Sequence, residues 1–307
     1  MADTSHLLLP IPHAVALRHG VRLLLWRDDL LYPDLPGNKA RKLKYNLLHA
    51  RAEGHTRLLT FGGAYSNHLA AVAAAGRLYQ FATVGLVRGE PHYPLNPTLA
   101  RCTADGMQLH YLDRNTYRRR AEPAFLAELL RQHGPAYPLP EGGTNVLALR
   151  GVAELIGELR QHTDFDAVAV AAGTGGTLAG LALGLAEAAY PARALGVAAL
   201  KGGGFLQAEV AALLTAASAP PTPCEVHTDY HFGGYAKYSA ELVAFIQGFE
   251  AQFGVLLDPI YTGKLLFGVL DLIGKGHFAS GSTVVAVHTG GLQAWAGWHL
   301  AHTQGHA

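Results

Sequence analysis

The chain has 307 residues, of which 50% are hydrophobic and only 15% charged, and its formal net charge is +1. That length is sufficient for one large domain or two ordinary ones. The near-zero net charge gives no global field that would attract nucleic acid or an anionic membrane surface. No uninterrupted apolar run reaches the roughly 18 residues that a membrane-spanning helix needs. The composition therefore argues against a disordered, membrane-spanning or nucleic-acid-binding chain and favours an enzyme with a small ligand.

Cysteines and histidines give little support for disulfides or for a metal centre. Cys102 and Cys224 are the two cysteines, and the N-terminus lacks a basic segment followed by an apolar signal core. We therefore expect a cytoplasmic protein. The HExxH motif is absent, and the closest metal-like spacings are His227/His231 and His299/His302/His306. We interpret these histidines as surface or core residues and predict no metal site.

The apolar pattern predicts strands alternating with helices. A strand over residues 20–26 is followed by a helix with Asn38 as its N-cap and Gly54 as its C-cap. The expected buried stripe of this helix consists of Leu43, Leu47, Leu48 and the region of Ala50. Further strands are predicted at 57–63, 82–90, 106–113, 165–173, 192–200 and 282–291. Further helices are predicted at 66–76, 122–134, 146–162, 177–190, 207–218, 241–254 and 265–276.

Most of the predicted strands are continuous apolar runs, which is typical of strands covered on both faces. Their alternation with helices indicates parallel sheets, because parallel neighbours need a crossover connection. We therefore predict an α/β fold with mostly parallel sheets and helices on both faces. No period of 20 to 50 residues recurs, so a solenoid is not expected.

A glycine turn, AVAVAAGTGGTLAGL, connects a buried strand directly to a helix. Unpaired backbone N–H groups and the positive end of the helix dipole make such a turn a phosphate site. The residues involved are Gly173, Thr174, Gly175, Gly176 and Thr177. The dinucleotide fingerprint G-x-G-x-x-G fails because Leu178 stands at its last position. The phosphate of a small cofactor fits better than a pyrophosphate, and a tight turn without a ligand is the alternative.

A second glycine turn, TFGGAYSNHLAA, ends another strand and begins another helix. Ser66, Asn67 and His68 cluster at the start of that helix, where three polar side chains suit a carboxylate. Simple helix capping is the structural alternative. Capping explains one of these side chains and leaves the other two without a reason.

Six segments in order resemble one enzyme family: GNKARKLKYN, FGGAYSNHLAA, AAGTGGTLAG, HFGGYAK, LLDPIYTGKLLFGVLDLI and AVHTGGL. The family is that of 1-aminocyclopropane-1-carboxylate deaminase and D-cysteine desulfhydrase, and the match extends from about Trp26 to about Leu292. The resemblance implies a pyridoxal-phosphate-dependent enzyme of fold type II, similar to tryptophan synthase β. It further implies a larger domain of residues 1–39 plus 146–307, and a smaller inserted α/β domain of residues 40–145.

The resemblance also implies roles for individual residues. Lys39 would form the Schiff base with pyridoxal 5′-phosphate, and residues 173–177 would bind the cofactor phosphate. Asn67 would hydrogen-bond the pyridine 3-oxygen, while Ser66 and His68 would face the substrate carboxylate. The resemblance places Tyr235 and Tyr261 at the reacting face and Thr262 and Thr289 near the pyridine nitrogen.

The chemistry of the basic segment agrees with this role for Lys39. An amine must be neutral to attack an aldehyde, and a helix N-terminus disfavours the ammonium form. Arg41, Lys42 and Lys44 lie close in sequence and would add to that effect. Apart from the family, the basic run is typical of a solvated helix face, and Lys42 and Lys44 retain that interpretation.

Two threonines favour the desulfhydrase branch. In the family's cyclopropane deaminases a glutamate follows the motif tyrosine and a leucine stands in the HxGG-type motif, whereas this chain has YTGK and HTGG. A carboxylate keeps the pyridine nitrogen protonated and the ring a strong electron sink, whereas a hydroxyl leaves the nitrogen largely neutral. Opening a cyclopropane without an α-hydrogen needs the strong sink. The resemblance therefore implies elimination from D-cysteine, with Lys39 or Tyr261 as the general base.

Two departures from the family pattern leave alternatives open. Tyr65 replaces the usual glutamine, and Leu69, Ala70 and Ala71 replace a polar pair. One alternative is 1-aminocyclopropane-1-carboxylate deaminase or a related D-amino-acid lyase. Another is a protein that binds pyridoxal phosphate without turnover. The family further implies a homodimer that acts on a small amino acid.

Overall fold

The computed structural model describes residues 4–32, 34, 35, 37–292 and 295. Within that part of the chain, the strands are β1 Leu8–Pro10, β2 Arg22–Trp26, β3 Arg57–Gly63, β4 Ala82–Arg88, β5 Met107–Leu112, β6 Tyr137–Leu139, β7 Ala167–Ala172, β8 Arg193–Ala198, β9 Cys224–His227 and β10 Thr283–Val287. The α-helices are α1 Ala14–Arg18, α2 Asn38–Ala52, α3 Asn67–Tyr79, α4 Pro97–Ala104, α5 Arg114–Arg118, α6 Pro123–His133, α7 Val146–Arg160, α8 Gly176–Glu187, α9 Phe205–Ala216, α10 Ala240–Phe253 and α11 Thr262–Gly274.

The strands form two sheets. A six-stranded sheet has the order β1-β2-β10-β7-β8-β9, and a four-stranded sheet has the order β5-β4-β3-β6. The β1–β2 pair is antiparallel, and the other described pairs are parallel. This arrangement confirms the predicted α/β class with mostly parallel sheets.

Helices cover both faces of each sheet. In β10, Val284 packs into the core formed with α10 and α11, and its neighbour Val285 packs into the core formed with α7 and α8. The four-stranded sheet shows the same alternation, because Leu58 faces α2 and α3 whereas Leu59 faces α6. Successive strand residues point to opposite faces, so a strand covered on both sides must be apolar throughout.

Two details of α2 differ from the sequence prediction. Gly37, rather than Asn38, is the N-cap, and Asn38 is the first residue of the helix. The backbone of Gly37 has φ +74° and lies so close to Thr289 that a Cβ would be 2.0 Å from the Thr289 carbonyl oxygen. Only glycine fits there. Leu48 was predicted in the buried stripe but is 59% exposed, because α2 turns that position toward solvent.

Six short elements were not predicted from the sequence: β1, β6, β9, α1, α4 and α5. Each has three to eight residues, which is too short for a hydrophobic period to stand out. β9 has the sequence CEVH and lies at the edge of its sheet, where polar side chains are tolerated. No helix within the described residues combines the length and apolar character needed to span a membrane.

Candidate active site

The N-terminus of α2 carries Lys39. This side chain is half-buried, and its Nζ donates to Asn38 Oδ1 at 3.0 Å. Burial lowers the pKa of Lys39 to about 8. The neighbouring cations were expected to lower it as well, but Arg41 is paired with Asp28 and Glu158. Burial is therefore the physical cause of the shift.

The predicted phosphate turn, residues 173–177, connects β7 to α8. Gly175 has φ +75° and is the N-cap of α8, so the first N–H groups of the helix face the turn. A Cβ on Gly176 would lie 2.6 Å from Thr144 Oγ1 and 3.1 Å from Lys42 Nζ. The absence of a side chain at Gly176 thus leaves a small polar cradle beside these groups.

Hydrogen bonds join this turn to two other segments. Asn38 Nδ2 donates to Thr177 Oγ1 at 2.8 Å, which fixes the start of α2 against the turn. Thr174 Oγ1 lies 2.7 Å from Thr144 Oγ1. The structure therefore brings Lys39 and residues 173–177 to one place, although about 135 residues of chain separate them.

Lys42 lies in the interior, contrary to its interpretation as part of a solvated helix face. It is 2% exposed, and its Nζ donates to the Gly142 carbonyl at 2.7 Å and to Thr144 Oγ1 at 2.9 Å. Burial, and secondarily the charge of Lys39, lower the pKa of Lys42 well below its usual range. Lys44 does remain at the surface, where it pairs with Glu154. The only sequence signal for Lys42 is its spacing of three residues from Lys39, which places both on one side of α2.

Tyr235 and Tyr261 meet above the same turn. A Cβ on Gly173 would be 3.3 Å from the Tyr261 ring, and the two tyrosine hydroxyl oxygens are 3.4 Å apart. Burial and the neighbouring Tyr235 raise the pKa of Tyr261 well above its usual range. Tyr261 therefore keeps its proton at neutral pH. The side chain of Tyr235, in contrast to that of Tyr261, is exposed to solvent over 46% of its surface.

Ser66 is the N-cap of α3, and its Oγ accepts from the backbone N–H groups of His68 and Leu69. The hydroxyl hydrogen of Ser66 remains available to a ligand. His68, in contrast, is buried, and its Nε2 lies 2.8 Å from Thr60 Oγ1. Burial, followed by the charges of Lys39 and Lys42, lowers the pKa of His68 well below its usual range.

Thr262 and Thr289 differ in what their hydroxyls contact. Thr262 Oγ1 donates to Asp258 Oδ2 at 2.6 Å and accepts from the Asp258 backbone N–H at 2.7 Å. Among the described residues, Thr289 Oγ1 has no hydrogen-bond partner, and this side chain is half-buried. Asn67 lies beside Gly291, two residues after Thr289, because a Cβ on Gly291 would be 3.1 Å from Asn67 Nδ2.

Two further buried charged residues were missed in the sequence. Asp258 accepts from the backbone N–H groups of Ile260, Tyr261 and Thr262, and it thereby shapes the start of α11. Lys264 donates to three backbone carbonyl oxygens, those of Ala199, His231 and Gly234. Both residues stand in the quoted motif LLDPIYTGK, but a sequence motif does not reveal which charges become buried.

Comparisons with known proteins agree with this geometry. Residues 9–290 match the family model described as pyridoxal-phosphate-dependent enzyme. A protein of Pyrococcus horikoshii, provisionally named a 1-aminocyclopropane-1-carboxylate deaminase, is 32% identical over 89% of this chain and 85% of its own length. The D-cysteine desulfhydrase of Klebsiella pneumoniae is 29% identical, over 91% of this chain and 90% of its own.

A solved structure of an ACC deaminase homologue superimposes with a TM-score of 0.84. It is 30% identical in sequence, and the alignment covers 96% of this chain and 92% of that one. The family-model match spans strands β2 to β10 and the predicted site residues from Lys39 to Thr289. The chain belongs to the pyridoxal-phosphate-dependent enzyme family and, within it, to the group of 1-aminocyclopropane-1-carboxylate deaminases and D-cysteine desulfhydrases.

Proposed function

We propose that this enzyme catalyses elimination from D-cysteine, in which D-cysteine and water give pyruvate, hydrogen sulfide and ammonia. The observation that carries the proposal is the Thr289 hydroxyl, which has no hydrogen-bond partner within the described part of the chain, together with Thr262 in place of a carboxylate at the start of α11. The buried carboxylate of Asp258, which lies beside Gly291, already accepts four hydrogen bonds within its own loop. Deamination of 1-aminocyclopropane-1-carboxylate is the alternative, since relatives named for either reaction are about 30% identical to the chain.

The residues present fit the phosphate of the cofactor. The cradle at Gly176 combines free N–H groups at the start of α8 with the buried Nζ of Lys42. An anion there would satisfy both the helix dipole and a cation that now contacts only neutral oxygens. We infer that residues 173–177 and Lys42 hold the phosphate, that Lys39 holds the aldehyde carbon, and that Asn67 contacts the 3-oxygen.

When bound, pyridoxal phosphate supplies an electron-accepting ring conjugated with the substrate nitrogen, which stabilises negative charge at the α-carbon. The chain itself must remove the α-proton. Lys39 Nζ suits this role because its pKa of about 8 leaves part of the amine neutral near neutral pH. Tyr261, with its raised pKa, suits the opposite role of a proton donor. We therefore assign the base to Lys39 and a proton-donating, orienting role to Tyr261 and Tyr235.

The substrate carboxylate would bind at the N-terminus of α3. The Ser66 hydroxyl can donate to it, and the helix dipole favours negative charge there. His68 would not bind the substrate carboxylate directly, as the family resemblance implies. Its ring is buried, and burial lowers its pKa so that the ring is neutral rather than cationic. Its role would be to support the Ser66 turn through its contact with Thr60.

We also propose the domain division inferred from the family. The four-stranded sheet lies entirely within residues 40–145, and the six-stranded sheet lies outside them. The division at residue 39 falls in the first turn of α2.

The family resemblance also predicts that the enzyme is a homodimer, and the sequence predicts that it is cytoplasmic.

The proposed reaction is tested by assaying the holoenzyme with D-cysteine, L-cysteine and 1-aminocyclopropane-1-carboxylate in parallel. We expect sulfide and pyruvate from D-cysteine, with kcat/KM at least about tenfold above that for either competitor, a difference of about 1.4 kcal/mol in activation free energy. Formation of 2-oxobutyrate at the higher kcat/KM would support the cyclopropane reaction instead. A holoenzyme that turns over none of these substrates would support the alternative of a cofactor-binding protein without turnover.

A further inference from the structure

Three metal-ligating side chains converge at the edge of the six-stranded sheet. Glu225 and His227 lie two residues apart on β9 and therefore point to the same face. His277 reaches them from the loop that follows α11. Their ligand atoms all lie within 4.8 Å of one another. This is the one such group of three histidine, cysteine or acidic residues within the described part of the chain.

The two imidazoles approach the same carboxylate oxygen. His227 Nε2 is 3.2 Å from Glu225 Oε2, and His277 Nε2 is 3.3 Å from it. Neither nitrogen has a hydrogen-bond partner among the described residues, although both are buried. A buried polar atom without a partner is rare in native proteins and often marks a bound ion.

These separations match the geometry of a bound zinc ion. Ligands about 2.0–2.1 Å from a tetrahedral centre are roughly 3.3 Å from one another. The side chains of His227, Glu225 and His277 are 18%, 33% and 25% exposed, so the group borders solvent although the two Nε2 atoms themselves are buried. Two imidazoles with one carboxylate are a donor set that suits zinc and similar borderline ions, and not calcium or magnesium.

Arg193 holds the carboxylate in this orientation. Its Nη1 donates to Glu225 Oε1 at 3.0 Å, and its Nη2 donates to the His277 carbonyl oxygen at 3.0 Å. Oε2 is thereby turned toward the two imidazoles. Partners of this kind orient metal ligands in many proteins.

We propose that Glu225, His227 and His277 bind a divalent transition-metal ion of the zinc type. The sequence spacing pairs His227 with His231 and predicts no metal site, whereas the fold places His227 beside His277. The site lies beyond the C-terminus of α11, whereas Tyr261 precedes its N-terminus, and this helix is roughly 20 Å long. The ion would therefore fasten the edge strand β9 to the loop after α11 without touching the substrate.

The test is calorimetric titration of the metal-stripped holoenzyme with zinc chloride. We expect one zinc ion per chain with Kd in the micromolar range or tighter, together with a rise in Tm. His227→Gln and His277→Gln should each weaken this binding by about 100-fold or more, since even partners of metal ligands contribute about 10- to 100-fold. Glu225→Gln should weaken it as well while it preserves the size of the side chain.

The matched control is His49→Gln. His49 and His55 also flank one carboxylate, that of Glu53, but at 3.6 Å and through different oxygens. Zinc affinity should be unchanged in this variant. Cobalt binding to the unmodified protein gives a second readout, because a tetrahedral site produces visible absorption bands without any substitution. The proposal is overturned if zinc does not bind saturably, or if affinity survives in both the His227 and His277 variants.

Discussion

Lys39 and Lys42 are three residues apart on one side of α2, and the structure gives them different surroundings. Lys39 Nζ donates to its neighbour Asn38, whereas Lys42 Nζ donates to the oxygens beside the phosphate turn. Both pKa values are lowered, chiefly by burial. Covalent attachment and proton transfer would thus belong to Lys39, and electrostatic binding of the phosphate to Lys42.

The assignment of Lys39 as the base predicts a pH profile. Burial lowers the pKa of the Lys39 amine in the free chain to about 8. Because protonated Lys39 cannot accept a proton, kcat for D-cysteine should fall as decreasing pH protonates this amine. Tyr261→Phe should lower kcat but keep this acidic limb. Rates measured between pH 6 and 9.5 test this. A limb that disappears in Tyr261→Phe would transfer the role of base to the tyrosine.

The assignment of Lys42 predicts a loss of cofactor affinity. Lys42→Met should raise the Kd for pyridoxal phosphate by about 10- to 100-fold, because a hydrogen bond to a charged group contributes about 1.5–3 kcal/mol. Titration of the apoenzyme, followed by absorption, measures this Kd. Lys44→Met is the control, since Lys44 lies on the same helix and pairs with Glu154 at the surface. Equal affinities in the two variants would contradict the assignment.

At the scale of elements, the crossing of α2 and α7 depends on a single glycine. A Cβ on Gly151 would be 1.9 Å from the Arg41 carbonyl oxygen, so the helix backbones are in contact there. Gly157 lies on the same helix α7 and has open space where its Cβ would be. These two positions form a matched pair.

Gly151→Ala should therefore lower the free energy of unfolding by about 1–3 kcal/mol, the usual range for overpacking. It should also weaken cofactor binding, because α2 carries Lys39 and Lys42. Gly157→Ala should leave cofactor binding unchanged and stabilise the protein by up to about 1 kcal/mol through helix propensity. Urea unfolding of both variants measures these effects. Similar losses of stability would mean that the crossing is not constrained by close packing.

The sequence predicts elements well where their pattern is long. The sequence pattern locates three elements within a few residues, namely α7, α8 and β7. Each has a clear apolar run, and each of the two helices also has a cap. The strand β9 has four residues and no period, so it could be recognised only through its pairing with β8. The metal-ligating group on that strand was missed for the same reason.

The glycine-turn motifs that converge in the structure could be recognised in the sequence, because the backbone requirements of glycine turns are local. The burial of Lys42, Asp258 and Lys264 could not be predicted, because burial of a charge depends on which distant segments supply its partners. Lys264, for example, bonds to carbonyl oxygens 30 to 65 residues away in sequence. Polar character alone indicates exposure and was wrong for Lys42.

At the scale of the whole molecule, buried lysines couple stability to pH. Burial lowers the pKa of Lys264 to about 8, against about 10.4 in an unfolded chain. Between these values the unfolded state binds more protons than the folded state, so stability rises with pH. The cost of a buried ammonium is fully present below pH 8 and disappears above the unfolded pKa.

The apoenzyme should therefore become more stable as pH rises from 8 to 9.5, a window below the ionisation of exposed tyrosines. Lys264→Met should reduce this slope by up to about 1.4 kcal/mol per pH unit, whatever its effect on absolute stability. Urea unfolding at several pH values measures the slope. Identical slopes in the variant and the original protein would show that Lys264 titrates normally.

Lys39 would bind the cofactor covalently, whereas Lys42, three residues away, would bind only its phosphate. Reduction of the holoenzyme with sodium borohydride fixes the lysine-bound cofactor permanently, and mass spectrometry of its peptides locates the modified side chain. We predict a pyridoxyl group on Lys39 and on no other lysine. A pyridoxyl group on Lys42 or Lys264 instead would contradict the account of the site.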